Sequence, residues 1–114
     1  MKPLTFFTAA ALSLTLALPA MAACTDPAAP GVDWSGCNKA TTDLGYVNLS
    51  HADLINTDLR QANLTHADLS NADLSHADLS HANLSHADLH GARLDRTKWT
   101  DGRRCAVGST GVCY

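Results

Sequence analysis

The 114-residue chain contains no glutamate, and all eleven of its acidic residues are Asp. Glu favours helix interiors and Asp disfavours them, so long charged helices are not expected. Aromatic residues make up 5% of the chain, too few for a globular core packed with large rings. Lys and Arg number only eight and the formal net charge is −3, which excludes a strongly basic nucleic-acid binder. There is no P-loop, no GxGxxG and no paired Glu. No nucleophile–base pair emerges either: Ser70, Ser75, Ser80 and Ser85 recur at one position of a repeat and read as corner residues. The chain is short enough for one small domain at most, and it reads as a non-enzyme.

What is present begins with an address. Lys2 precedes an uncharged run from Leu4 to Leu18, too short to span a bilayer comfortably, and Pro19 and Ala20-Met21-Ala22 follow in a small-x-small cleavage pattern. Residues 1–22 therefore read as a secretory signal peptide, which places the mature chain in the periplasm or outside the cell. Seven Lys or Arg against eleven Asp leave the remainder with a formal charge of −4. Its four Cys are even in number and would meet an oxidising compartment, so two disulfides are expected from three possible pairings. The local pairings, Cys24 with Cys37 and Cys105 with Cys113, are preferred. In a competing reading Cys24 is a lipidated first residue, because Met21-Ala22-Ala23-Cys24 resembles a bacterial lipobox; one thiol would then lack a partner.

Repetition dominates the rest. From Val32 the chain divides into fourteen quintets ending at Asp101. Leu fills the central slot of eleven of them, from Leu44 to Leu94, and Trp34 and Trp99 take that slot near the two ends. The preceding slot is Asp or Asn without exception from Asp43 to Asp88, and the first slot is small or β-branched. On an α-helix a five-residue step would scatter the leucines at about 140° intervals, and on one long strand it would send half of them to water. A short extended piece in which Ala52 and Leu54 share a face, followed by a corner that turns the next piece inward, buries them all.

The quintets resemble those of the pentapeptide-repeat proteins, whose motif is A(D/N)LXX. Residues 42–96 match closely, with ADLSH at 72–76 and 77–81 near the ideal, while 32–41 and 97–101 match loosely and Lys39 departs from the motif in the central slot. A less regular first coil is the expectation there. The resemblance implies an all-β solenoid, a right-handed quadrilateral β-helix with four quintets per coil and so about 3.5 coils in all. The organisation that follows is a signal peptide over 1–22, an N-terminal cap with degenerate repeats over 23–41, the β-helix over 42–101, and a disulfide-closed C-terminal tail over 102–114.

Stacking at twenty residues predicts the outward columns. Asp53, Asp73 and Arg93 should align, as should Asp58, Asp78 and Lys98, and Asp43, Asn63 and Asn83; the amides and cations relieve repulsion among the carboxylates. Raw coil ends need covers, which the two cysteine loops would supply, with Trp34 and Trp99 plugging the bore.

Five of the six His (His51, His66, His76, His81 and His86) hold the fifth slot, and His90 sits one slot earlier. Only one column, Tyr46–His66–His86, brings two His into register. His66 and His86 are therefore the candidate divalent-metal ligands, with Asp88 or His90 as a third, if the rings tilt together. The simpler reading is a solvent-facing slot that accepts any polar residue, with His spread by duplication of an ADLSH unit. In either case protonation of all six His would carry the mature charge from −4 to +2 as pH falls from about 7 to 5. The resemblance also brings DNA mimicry, since well-understood members occupy the DNA sites of topoisomerases. A short rod interrupted by Arg60, Arg93, Arg96 and His, and exported, is expected to bind no nucleic acid. The expectation is a structural or protein-interaction module without a cofactor, its protein partner unidentified, with a homodimer through the coil ends as one form of partnership.

Overall fold

A computed structural model of the chain describes residues 22–114. The expected signal peptide, all but Ala22, lies outside the described residues.

Ten parallel bridges join residues twenty apart, in unbroken order from Asp33↔Asp53 to Asp78↔Lys98. Each turn of the chain is therefore four quintets, and the coil has four sides. One quintet shows how the backbone is satisfied. Ala52 N donates to Leu49 O (3.1 Å), closing the corner; Asp53 N donates to Val32 O in the coil before (2.9 Å); Leu54 N and Asn56 N donate to Asp73 O and Ser75 O in the coil after (2.8 and 3.1 Å). The fourth N–H, of Ile55, goes to the side chain of Asp53 at 3.1 Å. All five donors are used, as burial of a backbone between two neighbours requires.

The corner demands a left-handed residue. Every fifth slot from Gly31 to Arg96 has positive φ, eleven of them in residues other than Gly. With the 4→1 bond from the next quintet, this is the backbone of a type II turn. Inside, Leu49, Leu54, Leu59, Leu64, Leu69, Leu74, Leu79 and Leu94 are fully buried against Ala in the first slot. Thr57 and Thr97 replace that Ala without leaving a hydroxyl stranded: they donate to Trp34 O and Leu74 O at 2.8 and 2.7 Å.

The first coil is regular after all. Lys39 N donates to Asp58 O at 2.7 Å, and the Asn38↔Asp58 bridge keeps register. The Lys39 side chain, which has no coil beneath it, lies with its ammonium 4.0 Å from the centre of the Trp34 ring and donates to Cys24 O. Trp34 is 2% exposed, and its indole N–H reaches Asp26 O at 3.1 Å. Cys24 is bonded to Cys37 beside it, with Cα atoms 5.5 Å apart.

At the other end the chain reverses. Residues after Gly102 return antiparallel over the last coil, bridging Lys98↔Arg104 and Arg93↔Thr110, and Cys105 is bonded to Cys113. Cys105, Ser109 and Cys113 are buried there, and Trp99 is half-buried against the core. Among the described residues no helix is long and apolar enough to cross a membrane.

Candidate functional site

The outward surface is built by the second, fourth and fifth slots. In twelve consecutive quintets, from Asp33 to Asp88, the second-slot Oδ1 accepts the fourth-slot N–H at 2.9–3.1 Å. Where the fourth slot is Ser or Thr, the hydroxyl often donates to the same oxygen, as Ser70 does to Asp68 at 2.6 Å and Ser85 to Asn83 at 2.6 Å. The N–H two residues on is within reach of the short Asx side chain, and a longer Glu would overshoot it. The absence of Glu thus has a local cause that charge alone did not reveal. Asp68→Asn is accordingly expected to keep the denaturation midpoint close to that of the parent, while Asp68→Ala and Asp68→Glu lower it together; urea titration of the three variants checks the order.

These bonds act on the acids. The Ser35 hydroxyl and N–H hold Asp33 below the usual carboxylate range, and Ser70 does the same for Asp68. Arg60 lowers Asp58, and the Gly108 N–H followed by Arg93 lowers Asp95. Each carboxyl titrates lower in the folded chain than in the unfolded one. The stability they contribute is therefore present above about pH 4 and is lost as the pH falls below it. Thermal melts between about pH 2 and 6 should show a falling midpoint only at the acid end, and a flat profile would contradict the assignment.

The expected columns form. Arg93 reaches Asp73 at 3.3 Å and Asp95 at 3.0 Å, and Asn63 Nδ2 donates to Asp43 at 3.0 Å. In the fifth slots, Tyr46, His66 and His86 stack as parallel rings: centroids are 4.6 and 4.7 Å apart, with interplanar angles of 6° and 14°. His66 and His86 are thus together as the sequence placed them, but face to face. Parallel rings direct their nitrogens side by side, and an ion shared between them requires the rings to tilt. Asp88 Oδ1 is engaged by His90 N at 2.9 Å. Among the described residues no three of His, Cys and Asp converge.

The left-handed backbone also accounts for the identity of the fifth-slot residues. His and Asn are enriched at positive φ, so the recurrence of His there has a conformational origin beyond exposure and duplication. At Gly91 (φ +70°) a Cβ would stand 2.3 Å from Asn71 Oδ1 in the coil before, so a larger residue there would require the Asn71 side chain to shift. The described surface has an open depression of about 230 Å³ lined by Ala40, Thr41, Arg60 and Gln61. It brings one cation and a hydroxyl together without a base, an arrangement with no means of activating a nucleophile.

The fold and its surface define a repeat solenoid whose side chains serve its own turns and columns. The chain belongs to the pentapeptide repeat family: the family model matches in eight copies, over residues 31–61, 42–80 and 62–98. Members of this family form right-handed quadrilateral β-helices, a structural repeat fold rather than a catalytic one. Among solved structures, a pentapeptide repeat protein of the cyanobacterium Cyanothece 51142 is similar at 36% identity, with a TM-score of 0.59, over 60% of this chain and 47% of its own. Another, from the Arabidopsis thaliana thylakoid lumen, is similar at 26% identity and the same TM-score, over 73% of this chain and 63% of its own. This chain therefore spans less than two thirds of either protein. No curated protein matches it significantly.

Proposed function

We propose that this is a small exported member of the family, periplasmic in a Gram-negative bacterium, acting as a non-enzymatic structural or protein-interaction module. In this reading residues 23–41 and 102–114 are disulfide-closed caps on a β-helix of about 3.5 coils, with the regular repeats over 42–101. The observation that carries it is the pair of disulfides, Cys24–Cys37 and Cys105–Cys113, at the two ends of a solenoid whose interior is filled by Leu and Ala. Disulfides persist where the medium oxidises, which favours export. With both cysteine pairs satisfied, cleavage before Ala23 is favoured over lipid attachment at Cys24. The similar Arabidopsis protein is itself from the thylakoid lumen. Cell fractionation with intact-mass measurement tests the address: a periplasmic species beginning at Ala23 is expected, and a full-length cytoplasmic species or a diacylated Cys24 would overturn it.

A second reading, a metal-binding envelope protein using His66 and His86, is favoured by their sharing one column at 4.7 Å. It is weaker because their rings are parallel. Calorimetry with Zn²⁺, Cu²⁺ and Ni²⁺ on the disulfide-intact protein decides it, and absence of binding at micromolar metal ends it.

A further inference from the structure

The returning tail shows what the C-terminal rim of the last coil accepts. On one side Trp99 N donates to Arg103 O (2.7 Å) and Thr97 O accepts from Cys105 N (2.9 Å); on the next, Leu94 N donates to Ser109 O and Ala92 O accepts from Gly111 N, both at 2.9 Å. Each is one antiparallel bridge on a second-slot residue, Lys98 or Arg93. The same groups recur on the other two sides of the coil, in residues 82–86 and 87–91, where the tail forms no bridge and only Gly111 approaches, beside Leu89 O and Gly91 N. There the N–H groups of Leu84, His86, Leu89 and Gly91, and the carbonyls of Ala82 and Ala87, have no hydrogen-bond partner among the described residues. Leu84, Ala87 and Leu89 are only half-buried, whereas the leucines one coil earlier, Leu64 and Leu69, are sealed. A ledge one strand deep is left beside the tail.

Charge says what fits it. The acidic column Asp53–Asp73 ends on Arg93, and Asp58–Asp78 ends on Lys98. The third acidic column, Asp68–Asp88, ends with no residue above Asp88 among the described residues. A strand bridging Asp88 would continue that column, and a cation at the bridging position would terminate it as Arg93 and Lys98 do. Its neighbours in sequence would turn toward the bore over Leu84 and Leu89 and must be small or apolar, as the buried Cys105 and Ser109 are.

We infer that residues 82–91 form a β-augmentation site for an extended segment of a protein partner, paired antiparallel, with Lys or Arg opposite Asp88 and small or apolar residues on either side. The site rests on the interaction-module reading above and gives it a surface. Backbone pairing supplies the affinity and the column supplies the preference.

The test is titration of ¹⁵N-labelled, disulfide-intact protein with the peptide acetyl-Ser-Val-Arg-Val-Ser-amide, read by amide shifts. Saturable shifts at millimolar peptide are expected, largest at Leu89, whose N–H pairs with the peptide, and smaller at Leu84, His86 and Gly91 around the corners. Replacing the Arg of the peptide by Glu should weaken binding about twofold to fivefold. N-methylation of the valine after the Arg removes the donor to Ala87 O and should abolish the shifts. In Asp88→Asn, which keeps the turn as Asn83 does, the preference for Arg over Glu should disappear while binding persists. Equal response to all three peptides, shifts elsewhere, or none would overturn the proposal. Concentration-dependent shifts of the same four amides without peptide would assign the ledge to a second copy of the chain and overturn it as well. A partner captured from the native compartment that leaves these amides unmoved removes the ledge but not the module; failure to capture any partner strikes the module itself.

Discussion

Leu64→Ala is expected to lower the free energy of unfolding by about 2–5 kcal/mol. Leu64 has no exposed surface, and its backbone is tied on both sides: Leu64 N donates to Asn83 O at 2.8 Å, and Asn63 N to Thr42 O at 3.0 Å. The walls around a missing leucine are thus fixed by ladders above and below and have little freedom to collapse into the space, which puts the cost toward the upper part of the range. Small domains have about 5–15 kcal/mol in total, so one such change approaches the margin. Leu84→Ala, one coil further along the same column at the half-buried rim, should cost less than half as much. Urea unfolding followed by circular dichroism compares the two, and equal losses would show that the bore is not a packed core at Leu64.

The second large effect is expected at the tail. Replacing Cys105 and Cys113 together by Ser should cost about 2.5–3 kcal/mol from loop closure alone, which for a chain of this size is a fall in melting temperature of about 10–20 °C. Sequence separation across the bond is only 8, but the bond pins the segment that supplies Ser109 O to Leu94 N and Arg103 O to Trp99 N. Release would return the rim at Leu94 and Trp99 to solvent, so amide exchange in residues 92–99 should accelerate more than in residues 52–59. Uniform acceleration along the rod would indicate that the tail does not protect that rim. Asp95, which accepts from Gly108 N at 2.6 Å, is a second tie, and its loss should add to the effect.

The coiled, corner-turning spine was legible because an interval of five in Leu44 to Leu94 is incompatible with both regular elements, while the lap of four quintets, and with it the twenty-residue register, came from the resemblance to the pentapeptide-repeat proteins. The aligned columns followed from it arithmetically. The Asx turns were harder to see. Their trace was present, since Asp and Asn alternate freely in the second slot while Glu never appears, but equal tolerance of charged and neutral side chains indicates an oxygen acceptor only once the facing N–H is known. The conformational reason for His in the fifth slot was hidden similarly, because exposure and positive φ select overlapping residue sets. Lys39 misled in the opposite direction: a cation in a core slot signals a broken repeat unless that slot lies at the mouth of the bore, where an ammonium has Trp34 and Cys24 O to meet. The antiparallel return of residues 103–111 left no periodic signal, since its pairing runs against the coil that it covers.

The corner at every fifth residue has a bearing on how such a chain changes length. Gain or loss of a single quintet would preserve the bore, yet it would rotate everything downstream by a quarter turn relative to everything upstream, so that Arg93 would no longer surmount Asp73 nor His86 lie above His66. Four quintets together restore every alignment. Duplications in such a chain would therefore be filtered by rotational phase as well as by composition, and steps of one whole lap should be the ones retained.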